Sequence, residues 1–155
     1  MNAVLQTVEA RFTPFIAESM NAVVAVENRA YAFPWSRQNF SDALASGYQA
    51  QLLLADPALL GYFIAMQGAG EVHLLNITVA PEFQRQGWAR VMLDAMAVWA
   101  RGQQVHTLWL EVRLSNTRAF EVYCAQGFQR VGMRKAYYPN GSQPREDAIV
   151  MSLKL

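Results

Sequence analysis

The sequence predicts a single mixed α/β sheet with helices packed on both faces. Two patterns carry this reading. Three apolar runs separated by the turn signals Asp56-Pro57 and Gly68-Ala69-Gly70 form an antiparallel meander. Strand-like and helix-like segments then alternate between Val72 and Tyr138, which implies right-handed parallel crossovers. A chain of 155 residues suits one domain, expected over 1–155.

The first expected element is a strand around Arg11 to Ile16. Helices are expected from about Ser19 to Ala30 and from Ser36 to Ala45, with Ser19 and Ser36 as N-caps. The meander strands run Gln49 to Ala55, Leu60 to Gln67 and Val72 to Val79. A helix from about Gly87 to Arg101 carries Val91, Leu93, Met96, Ala97 and Ala100 at helical spacing. A strand from Val105 to Val112, a helix from Asn116 to Gln126 closed by Gly127, and strands near Phe128 to Tyr138 and Ala148 to Leu153 complete the chain.

Composition narrows the function. Thirteen basic and twelve acidic residues give a net charge of +1, with neither a basic patch for nucleic acid nor an acidic tail. The single Cys124 excludes an internal disulfide framework and a CxxC metal site; it reads as a buried small side chain rather than a nucleophile. His73 and His106 are isolated in sequence, so no metal is expected. No run approaches the ~20 apolar residues that span a bilayer, and no basic start leads into an apolar stretch. The expectation is a cytoplasmic protein without membrane contact.

The most telling segment is Ala80-Pro81-Glu82-Phe83-Gln84-Arg85-Gln86-Gly87-Trp88-Ala89-Arg90, where a strand hands over to a helix through a small-residue loop. The first turn of a helix offers N–H groups without intrahelical partners and a partial positive charge, which suits an anionic group such as a pyrophosphate. The loop is neither a dinucleotide fingerprint nor a P-loop. A glycine used only for tight packing is the competing reading.

Two further segments carry candidate chemistry. Alternation along Thr107 to Arg113 puts Leu108, Leu110 and Val112 on one face and Trp109, Glu111 and Arg113 on the other. Glu111 is either a strand-end carboxylate with an Arg partner or a general base beside the apolar wall of Trp109. In Asn116 to Phe128, Asn116 caps a helix that places Ala119, Val122, Tyr123 and Gln126 along one side. Tyr123 is a candidate core aromatic with a satisfied hydroxyl.

Taken together, these segments resemble the GNAT superfamily of N-acetyltransferases over nearly the whole chain, and within it the bacterial branch acting on ribosomal-protein alanine. The resemblance rests on Ala32-Phe33-Pro34-Trp35-Ser36, Asn76-Ile77-Thr78-Val79-Ala80-Pro81, the Gln84 to Ala89 loop, Leu108 to Arg113, Ser115-Asn116, Tyr123 with Gly127-Phe128, and Tyr137-Tyr138-Pro139 followed by Glu146-Asp147-Ala148. It implies a mostly antiparallel mixed sheet, splayed between the strands of Ile77 to Val79 and Leu108 to Val112 into a wedge for acetyl-CoA. Pantetheine amides would pair with Ile77, Thr78 and Val79, with an N–H near Val79 facing the acetyl oxygen. The pyrophosphate would sit on Arg85, Gln86, Gly87, Trp88, Ala89 and Arg90, and Asn116 would touch the coenzyme further along. Bulky Trp88 departs from the family, where smaller residues are frequent.

By the same resemblance, Glu111 is the general base and Tyr123 the acid of a direct transfer, without an acyl-enzyme. Phe33, Pro34, Trp35, Tyr137 and Tyr138 line the acceptor side, with packing as the alternative role of each. The implied partner is the N-terminal segment of a small-subunit ribosomal protein. Acetylation of a lysine or small-molecule amine, or acyl-CoA binding without catalysis, stay open alongside it. The segment Asn140 to Arg145 reads as mobile.

Overall fold

The structure, a computed structural model, describes residues 9–155; residues 1–8 of the expected domain lie outside the described residues. In chain order it contains β1 (Arg11–Pro14), a 3-10 turn (Ala17–Ser19), α1 (Met20–Ala30), α2 (Arg37–Ala45), β2 (Gln49–Ala55), β3 (Ala58–Gly68), β4 (Glu71–Val79), a second 3-10 turn (Pro81–Phe83), α3 (Trp88–Gly102), β5 (Thr107–Arg113), α4 (Thr117–Gln126), β6 (Gln129–Tyr138) and β7 (Glu146–Lys154). The strands form one sheet in the order β1-β2-β3-β4-β5-β7-β6. Among the described residues only β4 and β5 pair in parallel. The mixed, mostly antiparallel sheet is thus the one expected.

Helices cover both faces, each over its own core. On one face α3 buries Met92, Leu93, Met96, Ala97 and Ala100, joined by Ala119, Phe120, Val122 and Tyr123 of α4. On the other, Met20, Val23 and Val26 of α1 and Phe40 and Ala43 of α2 enclose Leu52, Tyr62 and Ile64. No helix among the described residues is long and apolar enough to cross a membrane.

Local signals explain most boundaries. Ser36 and Asn39 form a reciprocal capping box at α2, each side chain accepting from the other's backbone N–H at 3.1 and 2.9 Å. Ser19 does not cap α1. It already has helical backbone angles and no side-chain cap bond, because the chain enters α1 through the 3-10 turn. Gly127 ends α4 at φ 107°, a left-handed conformation that costs glycine nothing.

The second crossover also differs from expectation. β6 runs parallel to β5 but is not its neighbour, since β7 inserts antiparallel between them. The reason is burial. β7 buries Ala148, Ile149 and Met151, whereas β6 buries nothing and carries Arg130, Arg134 and Lys135, so β6 takes the solvated edge.

A β-bulge decides which way the second half of β4 faces. Ile64 pairs with Asn76 and Ala65 with Leu74, leaving Leu75 as the extra residue. The bulge shifts the phase of the strand. Val72 and Leu74 face the α3 core before it and Ile77 and Val79 after it, so Asn76 and Thr78 turn towards α1.

Close approach at Gly61 locks this strand to β3. A Cβ there would lie 2.4 Å from the Thr78 carbonyl oxygen and 3.0 Å from Met92 Cε. Gly61→Ala is therefore expected to destabilise the fold by about 1–3 kcal/mol, the usual cost of overpacking. A urea-unfolding midpoint equal to wild type would contradict this close approach.

Candidate active site

The β4–β5 ladder pairs Glu71 with Thr107, Val72 with Leu108 and His73 with Trp109, and goes no further. Beyond it β5 stays paired with β7 up to Arg113 and Ala148, while the bulged β4 stays with β3. The two strands therefore diverge around a cleft of about 380 Å³. Its walls include Ile77 of β4, Leu110 to Arg113 of β5, and Asn116, Ala119 and Tyr123 of α4.

The open edge of β4 carries backbone groups without a strand partner. Ala80 N–H donates to Leu60 O at 2.8 Å, and the Thr78 carbonyl lies against Gly61, so the alternating residues Ile77 and Val79 face away from β3. Side chains reach their carbonyls instead: the Tyr31 hydroxyl donates to Ile77 O at 3.0 Å and Gln84 Nε2 to Val79 O at 3.2 Å. Of the three β4 positions expected to meet the coenzyme, Ile77 and Val79 present their main chain to the opening. Thr78 presents its main chain to β3.

The loop after β4 is built as a cradle. Gly87 is the N-cap of α3 at φ 88°, and its missing Cβ would meet nothing within 4 Å. Arg85 also has a positive φ of 64°. Among the described residues, the first-turn N–H groups of Trp88, Ala89 and Arg90 have no backbone or side-chain acceptor. Trp88 leans onto the α3 core, and its indole donates to Gln86 Oε1 at 3.3 Å, so its bulk stays out of the cradle.

Glu111 projects from β5 with only 7% of its side chain exposed. Arg134 Nε donates to Oε1 at 3.1 Å, and His73 Nε2 contacts Oε2. The Arg partner expected for this carboxylate is thus present as Arg134, and the carboxylate stands on the wall of the cleft. Tyr123 shares that cleft and stacks edge-on against Phe128 at 5.9 Å. Burial, reinforced by Tyr31 and Tyr138, raises its pKa well above the usual tyrosine value, so the hydroxyl keeps its proton at neutral pH. Asn116 caps α4 by accepting from Ala119 N–H at 3.2 Å and also lines the cleft.

Arg113 organises the rim. Its guanidinium lies 4.6 Å from the Tyr138 ring centroid and 5.2 Å from that of Phe33, pairs with Glu146 at 3.1 Å and donates to Pro139 O at 2.9 Å. Hydrogen bonding from Ser115, whose backbone N–H donates to Oε2 at 3.0 Å, together with the bonds from Arg113, holds Glu146 below the usual carboxylate range. Phe33, Pro34, Trp35 and Tyr138 line the cleft; Tyr137 does not. Tyr137 packs edge-on against Tyr138 under Arg134, on a stretch of β6 bulged between Arg134 and Tyr138. Trp35 serves partly as core, 5.2 Å from Phe40. The Asn140 to Arg145 turn is tied down by Asn140 to Pro144 O at 3.2 Å and by Arg145 to Tyr137 O at 2.6 Å.

Several residues at this site escaped the sequence reading. Glu27 of α1 is 1% exposed and sits in the cleft wall, accepting from Asn76 Nδ2 at 2.7 Å and the Tyr62 hydroxyl at 3.1 Å. Asn76 in turn accepts from Thr78 Oγ1 at 2.8 Å, and that hydroxyl meets Tyr31 at 2.8 Å. Loss of water around the enclosed end of Tyr31 pushes its hydroxyl up to about 12. The signal for Glu27 was present: with Met20 and Val23 it lies at helical spacing on the buried stripe of α1. His73 is not isolated, because the fold brings it to Glu111. Cys124 is exposed rather than buried, since α4 turns Ala119, Phe120, Val122 and Tyr123 to the core and Cys124 outward. Among the described residues no three His, Cys, Asp or Glu side chains gather as a metal site.

Comparison with known proteins agrees with this geometry. The acetyltransferase (GNAT) family profile matches residues 20–128. The [ribosomal protein bS18]-alanine N-acetyltransferase of Salmonella typhimurium is 39% identical over 130 residues, 84% of this chain and 87% of the relative. The crystal structure of the ribosomal-protein-S18-alanine N-acetyltransferase from Escherichia coli superposes with a TM-score of 0.86 at 34% identity, covering 94% of each chain. A GNAT acetyltransferase from Elizabethkingia anophelis with acetyl-CoA bound shares the fold at a TM-score of 0.77 and 19% identity, over 94% of this chain and 98% of that one. The chain belongs to the GNAT acetyltransferase family.

Burial, opposed by the bonds from Asn76 and Tyr62, raises the pKa of Glu27 above its ordinary 4.5. A raised folded-state pKa means that the Glu27 contribution to stability is complete below the unfolded value and is lost as pH rises through the folded one. Relative to Glu27→Gln, the wild type is expected to lose stability as pH is raised from 4.5 towards neutrality. Urea midpoints of the two proteins that run parallel over this range would refute the assignment.

Proposed function

We propose that the chain, read as one acetyltransferase domain over 1–155, transfers the acetyl group of acetyl-CoA to the N-terminal α-amine of a protein. The acceptor is the N-terminal alanine of a small-subunit ribosomal protein, which puts the reaction in the cytoplasm. The observation that carries this reading is one cleft combining the unpaired β4 edge, a carboxylate at Glu111 and a protonated phenol at Tyr123. The names of the Salmonella and E. coli relatives support the choice of acceptor.

Acetyl-CoA supplies the acetyl group as a thioester. The open edge at Ile77 and Val79 suits an extended amide-bearing chain, and the Gly87 loop with Trp88, Ala89 and Arg90 suits its pyrophosphate. Arg85 and Arg90 add positive charge nearby, and Asn116 stands where the coenzyme would leave the wedge. Glu111 takes a proton from the incoming ammonium as nitrogen attacks directly. An N–H at Val79 then donates to the acetyl oxygen as negative charge develops there. Tyr123 delivers its proton to the departing sulfur as the C–S bond breaks, and the second N–H proton of the attacking nitrogen, lost as the amide forms, restores the Tyr123 hydroxyl.

Amine chemistry also favours an N-terminal acceptor. An α-ammonium ionises near ~8 and a lysine near ~10.4, so the α-amine needs about two units less help at neutral pH. The rim of Phe33, Pro34, Trp35 and Tyr138, fixed by Arg113, is the wall against which the first residues of the acceptor would lie.

Two outcomes are expected. Gly87→Val meets no atom within 4 Å of its Cβ position, but a β-branched residue at φ 88° is strained by about 1–3 kcal/mol; the variant, its folding checked by circular dichroism, should bind acetyl-CoA at least about ten-fold more weakly, since a lost N–H bond to a charged phosphate is worth roughly 1.5–3 kcal/mol. Unchanged affinity by calorimetry would move the pyrophosphate elsewhere. On a peptide panel, an alanine-initial peptide should be acetylated in preference to an N-blocked lysine peptide and to polyamines, and Glu111→Gln should reduce that turnover about 100- to 10,000-fold. Preference for lysine or polyamine would replace the proposed acceptor, and a fully active Glu111→Gln would remove Glu111 from the chemistry.

A further inference from the structure

Glu111 lines two cavities. Besides the main cleft, it borders a second groove of about 370 Å³, shared with Met66, Glu71, His73, Trp109, Arg134 and Val150. His73 stands at the last rung of the β4–β5 ladder, and Glu111 lies two residues past that rung on the same face of β5. The imidazole Nε2 contacts Glu111 Oε2, and 24% of the His73 side chain is exposed against 7% for the carboxylate. The charged groups facing His73 are Glu111 from β5, Glu71 from its own strand and Arg134 from β6. The groove also holds the Trp109 indole N–H, a buried donor with no protein acceptor among the described residues and hence a natural anchor for a water molecule.

The need for such an arrangement comes from the reaction. Each turnover leaves one proton on Glu111, and it must depart before the next amine arrives. The cleft side is occupied by the acceptor and the coenzyme, so that route is closed while substrates are bound. Imidazole, with a reference pKa near ~6.5, is the side chain suited to taking up and releasing a proton at neutral pH.

Resting on the reading of Glu111 as proton acceptor, we propose that His73 relays the proton from Glu111 into the second groove. The ammonium N–H bond breaks and Glu111 gains the proton. Oε2–H then gives its proton to the Nε2 lone pair of neutral His73, and the imidazolium releases the Nδ1 proton to water. No electrons are transferred; Glu111 is restored as the carboxylate, and His73, left protonated on Nε2, regains its Nδ1–H form by proton exchange with water in the groove before the next turnover. His73 acts through Glu111 and is a positioning and relay residue rather than a catalytic one.

The test compares kcat–pH profiles of wild type, His73→Gln and Glu111→Gln with acetyl-CoA and an alanine-initial peptide. His73→Gln retains a hydrogen-bonding partner for Glu111 but cannot take up a proton. It should lose about 100-fold in kcat, the low end for a positioned proton-transfer group, and change the shape of the kcat–pH profile, with acetyl-CoA affinity unchanged. In His73→Ala, free imidazole should restore turnover, and substituted imidazoles should do so in order of their pKa, which a merely structural role cannot explain. A His73→Gln enzyme with wild-type kcat and profile, or a His73→Ala rate indifferent to imidazole, overturns the relay. Activity in Glu111→Gln would instead overturn the reading of Glu111, so the two failures are distinguishable.

Discussion

The end of the β4–β5 ladder at His73 and Trp109 is the constraint on which the site depends. A single extra residue, Leu75, bends β4 and reverses which of its side chains face α1, while β5 remains straight because β7 pairs with it through Arg113. Strands that cannot stay together expose main-chain groups between them. Buried main-chain groups need partners, so the fold either closes that gap with side chains or leaves it for a ligand. Here Tyr31 and Gln84 reach only the carbonyls of Ile77 and Val79.

The phase shift at Leu75 also joins the two halves of the site. It turns Asn76 towards Glu27, and the carboxylate simultaneously accepts from Tyr62. One buried carboxylate thereby ties α1 to β3 and to the bulged half of β4. Across the cleft, Arg113 fastens the Tyr138-Pro139 side to the same Phe33 ring. A half-satisfied buried network would be costly, so α1, β3 and β4 are expected to hold one relative position.

Much of this was legible in the sequence because it is local. The turn at Gly68-Ala69-Gly70, the Ser36 cap, the glycine opening α3, the Asn116 cap and the alternation that groups Trp109 with Glu111 each depend on a few adjacent residues. The bulge was not legible: Leu75 lies inside a continuous apolar run, where one inserted residue leaves no mark. Placing β7 between β5 and β6 required weighing the burial of two distant strands against each other. Pairings such as His73 with Glu111 and Glu27 with Asn76 join residues 38 and 49 positions apart, so no spacing rule reaches them. Glu27 was the recoverable case, a charged residue on the apolar stripe of a helix. Cys124 erred in the opposite sense, because a residue type that is often buried was judged without the phase of its helix.

The central claim is that the unpaired edge of β4 and the first turn of α3 form one continuous binding surface for an acyl-coenzyme. Amide hydrogen exchange, measured residue by residue with and without acetyl-CoA, tests it most directly. The account predicts new protection at the N–H groups of Ile77 and Val79 and at those of Trp88, Ala89 and Arg90, with Thr78 little changed because it is already bonded to β3. Binding that leaves these amides exchanging as before, with protection appearing elsewhere in the sheet, would contradict it.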